Sequence, residues 1–69
     1  MSYKYNFSLA VFNSRKEKGF TQEQAAEKLG ISKRWFQKIE KGEKLPSPAL
    51  LLKIIAVLEI DVRSISQSQ

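Results

Sequence analysis

The chain contains neither cysteine nor histidine. Without thiols it can form no disulfide and offers no thiolate to a metal, and without imidazole it lacks the commonest metal ligand and the commonest general base of enzymes. Enzymatic chemistry is therefore the weakest reading, and no metal or other cofactor is expected. Long apolar runs are missing too. None approaches the ~20 residues of a membrane-spanning helix, and the tyrosine-rich start lacks the charged region followed by an apolar stretch that marks a cleavable signal. The expectation is a soluble, cytoplasmic protein with no membrane partner and no small-molecule effector.

Positive charge is what the chain does have. Twelve Lys and Arg stand against seven Asp and Glu in 69 residues, a formal net charge of +5. Such an excess favours an anionic partner without saying which. A chain this short makes one domain and buries only ~60% of the surface its unfolded form exposes, so oligomerisation would add stability. The expected organisation is a single domain over 1–69 with a core from about 7 to 66, a loosely held N-terminal arm and a frayed C-terminal tail.

Glycines fall where left-handed helix ends are needed and hydroxyl side chains where helix starts need caps. Gly19, Gly30 and Gly42 are the expected stops. A first helix is expected over about 7–18, with Phe7, Ala10, Val11 and Ser14 on one face. Thr21, with Gln24 three residues on, has the spacing of a capping box for a second helix over 22–29. Ser32 caps a third helix, and Ile31 before it can staple onto Phe36. Only about three residues then join the second and third helices, a connection that forces them to cross steeply as in a helix-turn-helix, with Ala26 supplying a small side chain at the crossing. Ser47 and Pro48 open a fourth helix, with serine as cap and proline at the first helical position; Asp61 can cap a short fifth through about Ser66. The fold class is all-α, a compact bundle of five short helices around a central helix-turn-helix.

On a helical wheel Lys33, Arg34, Gln37, Lys38 and Lys41 share one face of the third helix, and Ile31, Trp35, Phe36 and Ile39 share the other. Five of the twelve cationic residues lie between Lys33 and Lys44. A lysine-rich solvated face is the plain alternative. Context favours function, because this face belongs to the second helix of a helix-turn-helix, the element that docks in the major groove.

The residues Gly19-Phe20-Thr21-Gln22, Ala26, Leu29-Gly30-Ile31-Ser32, Phe36, Ile39-Glu40-Lys41-Gly42, Pro46-Ser47 and Leu51-Leu52-Lys53-Ile54 together resemble the Cro and phage-repressor type of helix-turn-helix regulators, over about 11–65. The resemblance implies a lambda-repressor-like five-helix bundle, binding to a double-stranded DNA operator, and a dimer. It implies base-edge contacts from Lys33, Arg34 and Lys38, and phosphate contacts from Gln22, Lys41 and Lys44; Gln37 is counted with the base contacts because it shares their face of the helix. Residue chemistry supports these roles separately: arginine's planar fork matches the two acceptors on the guanine edge, lysine reaches the same acceptors, and the first turn of a helix attracts an anion. Guanine-containing sites are the natural expectation.

Glu40 lies one turn beyond Phe36, toward the packed side, so it should have a partner. Arg15 holds the equivalent place on the first helix, one turn beyond Val11, and the resemblance also implies an Arg15–Glu40 pair; the alternative is two snorkelling side chains that never meet. Two positions depart from the family pattern, Ser14 where leucine is usual and Trp35 where a small polar residue or tyrosine is common. Trp35 either fills the space the serine leaves or donates its indole hydrogen to a phosphate. The other carboxylates, Glu17, Glu23, Glu27 and Glu43, have no visible partner for acid and base work.

The fourth helix is apolar nearly all round, and such a helix must be covered all round. Leu51, Ile54, Ile55 and Leu58 should close the monomer's core. Leu50, Lys53 and Val57, joined by Ile60 and Ile65, are expected to form the interface of a two-fold homodimer. The functional expectation is a sequence-specific transcriptional regulator, a repressor on an inverted-repeat operator. The alternative is a protein-interaction module, such as an antitoxin or anti-repressor on the same scaffold, whose mark would be an interrupted basic face. An RNA-binding or membrane-surface protein accounts for the charge but not for the tight turn and the caps.

Overall fold

The computed structural model describes residues 3–61. It has four α-helices and, among the described residues, no strand: α1 (Tyr3–Glu17), α2 (Gln22–Leu29), α3 (Lys33–Glu40) and α4 (Pro48–Leu58). The all-α class holds with one helix fewer than expected, since 62–66, where the fifth was placed, lies outside the described residues. None of the helices is long and apolar enough to cross a membrane.

The first helix begins earlier than its apolar periodicity suggests. Tyr3 to Asn6, expected to belong to a loose arm, are helical. No glycine or proline interrupts 3–17, and once a helix is nucleated each added residue gains a hydrogen bond at small entropic cost. The starts of the other helices follow their caps. Thr21 Oγ1 accepts from the Gln24 amide and Gln24 Oε1 accepts from the Thr21 amide, so the capping box is complete. Ser32 caps α3 by accepting from the Trp35 amide, and Ser47 caps α4 by accepting from the Leu50 amide, with Pro48 opening the helix.

One device ends all four helices. In each, the backbone turns left-handed and two amide hydrogens reach back to the last carbonyls, as from Gly30 to Glu27 and from Ile31 to Ala26, the pairing of a Schellman turn. The residue that follows the left-handed one is Phe20, Ile31, Glu43 or Ile60, and the three apolar ones pack on the core. At α4 the left-handed residue is Glu59, with φ 54°, the single non-glycine at positive φ among the described residues. Its carboxylate pairs with Lys18 at 3.0 Å, tying the ends of α1 and α4 together.

That turn corrects one expectation. Ile60, assigned to a dimer face, is 6% exposed and belongs to the monomer's core, because the Schellman turn at Glu59 folds the chain back and drives the next side chain inward. The rest of the core comes from every helix: Phe7 and Val11 of α1, Ala25, Ala26 and Leu29 of α2, Phe36 and Ile39 of α3, and Ile54 and Leu58 of α4. Leu51 and Ile55 flank it, half-buried.

Gly42 shows how closely the turn after α3 sits on α1. Its φ is 79°, and a Cβ there would stand 3.3 Å from Oγ of Ser8, a buried residue of α1. Gly19 has nearly the same φ, 74°, but a Cβ there would meet nothing within 4 Å. Gly19→Ala should therefore carry only the left-handed penalty of about 1–2 kcal/mol, whereas Gly42→Ala adds a tight contact that requires Ser8 to shift by a few tenths of an ångström. Thermal unfolding is expected to rank Gly42→Ala clearly below Gly19→Ala; equal melting temperatures would mean that the contact with Ser8 gives way freely.

Candidate nucleic-acid interface

α3 is built to be buried on one side and wet on the other. Phe36 and Ile39 are fully enclosed, while Lys33 and Arg34 at its start and Lys41 at its end are exposed and Gln37 and Lys38 are half-buried. Apolar burial on one face thus holds the polar face outward. Trp35 is half-buried and packed against the core. Past α3 the turn places Lys44 in solvent as well, and the amides of Glu43 and Lys44 both point back to the Lys38 carbonyl. The exposed cations of α3 and its following turn, Lys33, Arg34, Lys41 and Lys44, have no acidic partner among the described residues, so their charge is available to an outside anion.

The start of α2 lies against this face. Gln22 is the first residue of α2, and its side chain spans to α3 in two directions: Nε2 donates to Glu40 Oε1 at 2.7 Å, and Oε1 accepts from Gln37 Nε2 at 3.0 Å. The first amide hydrogens of a helix have no acceptor within it and favour an anion nearby. The orientation therefore sets an anion-attracting helix end beside the basic face of its neighbour.

Beneath the two glutamines is an ion pair. Arg15 Nε donates to Glu40 Oε2 at 2.7 Å and Nη2 to Oε1 at 3.3 Å, with the two side chains 9% and 5% exposed. Nη1 donates to the Phe20 carbonyl at 2.8 Å, and the guanidinium carbon stands 5.5 Å from the centre of the Phe12 ring. Four elements meet on one carboxylate and one guanidinium: the end of α1, the turn after it, the first residue of α2 and the last of α3. No buried side-chain polar atom among the described residues is left without a partner.

The HTH_3 helix-turn-helix family model matches residues 13–65, which include α2, α3 and α4. The chain belongs to this family. It is a family of DNA-binding transcriptional regulators, not enzymes, in agreement with the resemblance drawn from the sequence. The chain is 44% identical over 50 residues to the cryptic phage CTXphi transcriptional repressor RstR of Vibrio cholerae, a match that covers 72% of this chain and 45% of RstR. It thus spans less than half the length of that relative. Over 46 residues it is 48% identical to the HTH-type transcriptional regulator YazB of Bacillus subtilis, covering 67% of each. Among solved structures, the clp gene regulator ClgR from Corynebacterium glutamicum superposes with a TM-score of 0.82 at 25% identity, over 94% of this chain and 69% of ClgR. The restriction-modification controller protein C.AhdI from Aeromonas hydrophila superposes with a TM-score of 0.78 at 26% identity, over 90% and 94% of the two chains.

Sequence reasoning placed Lys33, Arg34, Gln37, Lys38 and Lys41 on one face, and they share it. It missed the link between Gln22 and Gln37. It also missed the place of Lys53, whose Nζ would be 3.7 Å from a Cβ on Gly30, beside the carbonyl end of α2 where a cation is favoured. Neither contact has a signal in residue spacing, because both depend on how α2 sits against its neighbours.

Removing one member of a buried ion pair strands the other charge and costs about 3–5 kcal/mol. Glu40→Ala is accordingly expected to lose that much, and Glu43→Ala, at an exposed position, to stay within ~0.5 kcal/mol. At ~4–8 °C per kcal/mol for a domain of this size the two melts should separate widely; coincident melts would show that the pair contributes nothing.

Proposed function

We propose that this chain is a sequence-specific transcriptional repressor that binds double-stranded DNA through the major groove, as a homodimer on an inverted-repeat operator. α3 is the recognition helix. Lys33, Arg34, Gln37 and Lys38 read base edges; Gln22 at the start of α2, with Lys41 and Lys44 after α3, holds the phosphate backbone. The observation that carries this reading is the unneutralised basic face of α3, continuous from Lys33 to Lys41 and held outward by the full burial of Phe36 and Ile39. The repressor assignment draws on RstR, a phage repressor 44% identical to this chain. Selection of bound sites from random duplex DNA tests the reading directly.

The dimer is assigned to the outward side of α4. Leu50 and Val57 are half-buried and Lys53 is exposed. Leu52 is 67% exposed, and Ala49 and Ala56, three residues before it and four after it, are exposed on the same side. An exposed leucine flanked by alanines lets two helices approach closely about a two-fold axis. Two recognition helices so related would read half-sites ~34 Å apart, one turn of DNA.

Two predictions divide these roles. Arg34→Ala should cost on the order of 1–3 kcal/mol against the cognate site and little against random DNA. Lys41→Ala should instead weaken all duplexes alike and flatten the dependence of log affinity on log salt by about one unit. Binding of both variants to cognate and scrambled duplexes at several salt concentrations checks this, and identical profiles would refute the division. For assembly, Leu52→Glu should yield a folded monomer by sedimentation where the wild type sediments as a dimer. A wild-type mass of 7.9 kDa at micromolar concentration would refute a dimer stable in free solution.

A further inference from the structure

We propose that Gln37 reads an adenine, and that Gln22 is the positioning residue that restricts it to that base. The inference rests on the DNA-binding reading above and adds to it the identity of one operator base. It begins at Glu40. An ionised carboxylate can only accept hydrogen bonds, and Glu40 takes three: two from Arg15 and one, at 2.7 Å, from Gln22 Nε2. The donor end of the Gln22 amide is thereby turned to Glu40.

The consequence passes along the chain of amides. Nε2 of Gln22 gives one of its two hydrogens to Glu40, and Oε1, at the other end of the amide, is the atom that meets Gln37, where a carbonyl oxygen can only accept. Gln37 must answer with a donor, and does so through Nε2 at 3.0 Å. The acceptor-only carboxylate thus fixes the polarity of two successive glutamines, the second of them on the face of α3 that carries the cations. What remains of the Gln37 amide is one Nε2 hydrogen and the carbonyl oxygen, on a half-exposed side chain.

One donor beside one acceptor complements the major-groove edge of adenine, where N7 accepts and the N6 amino group donates. Guanine presents two acceptors, N7 and O6, and needs two donors. An unrestrained glutamine could turn both amide hydrogens to guanine; Gln37 has already given one to Gln22. The other residues of the face sharpen the assignment. Lys33, Arg34, Lys38 and Lys41 are donors only, so Gln37 carries the sole side-chain acceptor of this set, and a base with an amino group has no other residue among them to receive it. The cations suit guanine and Gln37 suits adenine, so an operator half-site should hold both.

The test uses the whole chain and selection from random duplexes with wild type, Gln37→Ala and Gln22→Met. Methionine keeps the length of the glutamine and removes its hydrogen bonds. The base contacted by Gln37 is the operator position whose preference Gln37→Ala erases, a variant that leaves the Arg15–Glu40 pair intact. Wild type should hold adenine there and bind the guanine-substituted duplex on the order of tenfold more weakly, the share of one bidentate contact. Gln22→Met should reduce that discrimination severalfold at the same position and leave the other positions unchanged, which a merely destabilised fold would not do. A wild-type preference for any base other than adenine at that position overturns the inference, as does Gln22→Met with undiminished discrimination. Should Gln22→Met fail to fold, the adenine preference and its loss in Gln37→Ala still decide whether Gln37 reads that base. An enriched site that does not respond to Gln37→Ala refutes this inference alone; no enriched site refutes the DNA-binding reading with it.

Discussion

The Arg15–Glu40 pair is the constraint on which the geometry of this protein depends. Its two residues are 25 positions apart, and burial of both charges is tolerable only if every lone pair and hydrogen finds a partner. That requirement determines where four pieces of chain must be. The guanidinium takes the Phe20 carbonyl, which sets the turn between α1 and α2; the carboxylate takes Gln22, which sets the start of α2; and Glu40 itself ends α3. A hydrophobic core alone would not fix these relations so closely, because apolar contacts carry no direction. The pair is better understood as a device for register than as a source of stability.

Around it the helices are closed by backbone chemistry. Every helix ends in a left-handed residue, and the apolar side chain after three of those turns packs on the core. In so small a domain these turns do two things: they satisfy carbonyls that the helix leaves unpaired, and they add Phe20, Ile31 and Ile60 to a core that four short helices could not complete alone. α4 shows the consequence. It is apolar nearly all round, yet the chain's return at Glu59 directs Ile60 inward and leaves Leu52 as its most exposed large apolar side chain.

The basic face of α3 is electrostatically simple and chemically uneven. Its cations have no acidic partners among the described residues and suit any anion, including the phosphates that dominate affinity for DNA without informing on sequence. Discrimination needs groups of fixed orientation. Gln37 is the residue of that face whose polarity is fixed by a buried charge, and the path from Glu40 through Gln22 makes the buried ion pair and the basic face of α3 parts of one hydrogen-bonded chain.

By itself the sequence determined what short-range chemistry can determine. The caps Thr21, Ser32 and Ser47, the stops at Gly19, Gly30 and Gly42, and the two faces of α3 follow from residue type and spacing, because each is settled within a few residues along the chain. The partnership of Arg15 with Glu40 was also legible, since each is a charge on an otherwise apolar face and a charge so placed needs a counter-ion. Tertiary structure decided the rest. Ile60 enters the core because Glu59 adopts a left-handed conformation that glycine usually signals. The bonds from Gln22 to Glu40 and Gln37 join residues 18 and 15 positions apart. No local pattern encodes such distances, which exist only once α2 has been set against α3.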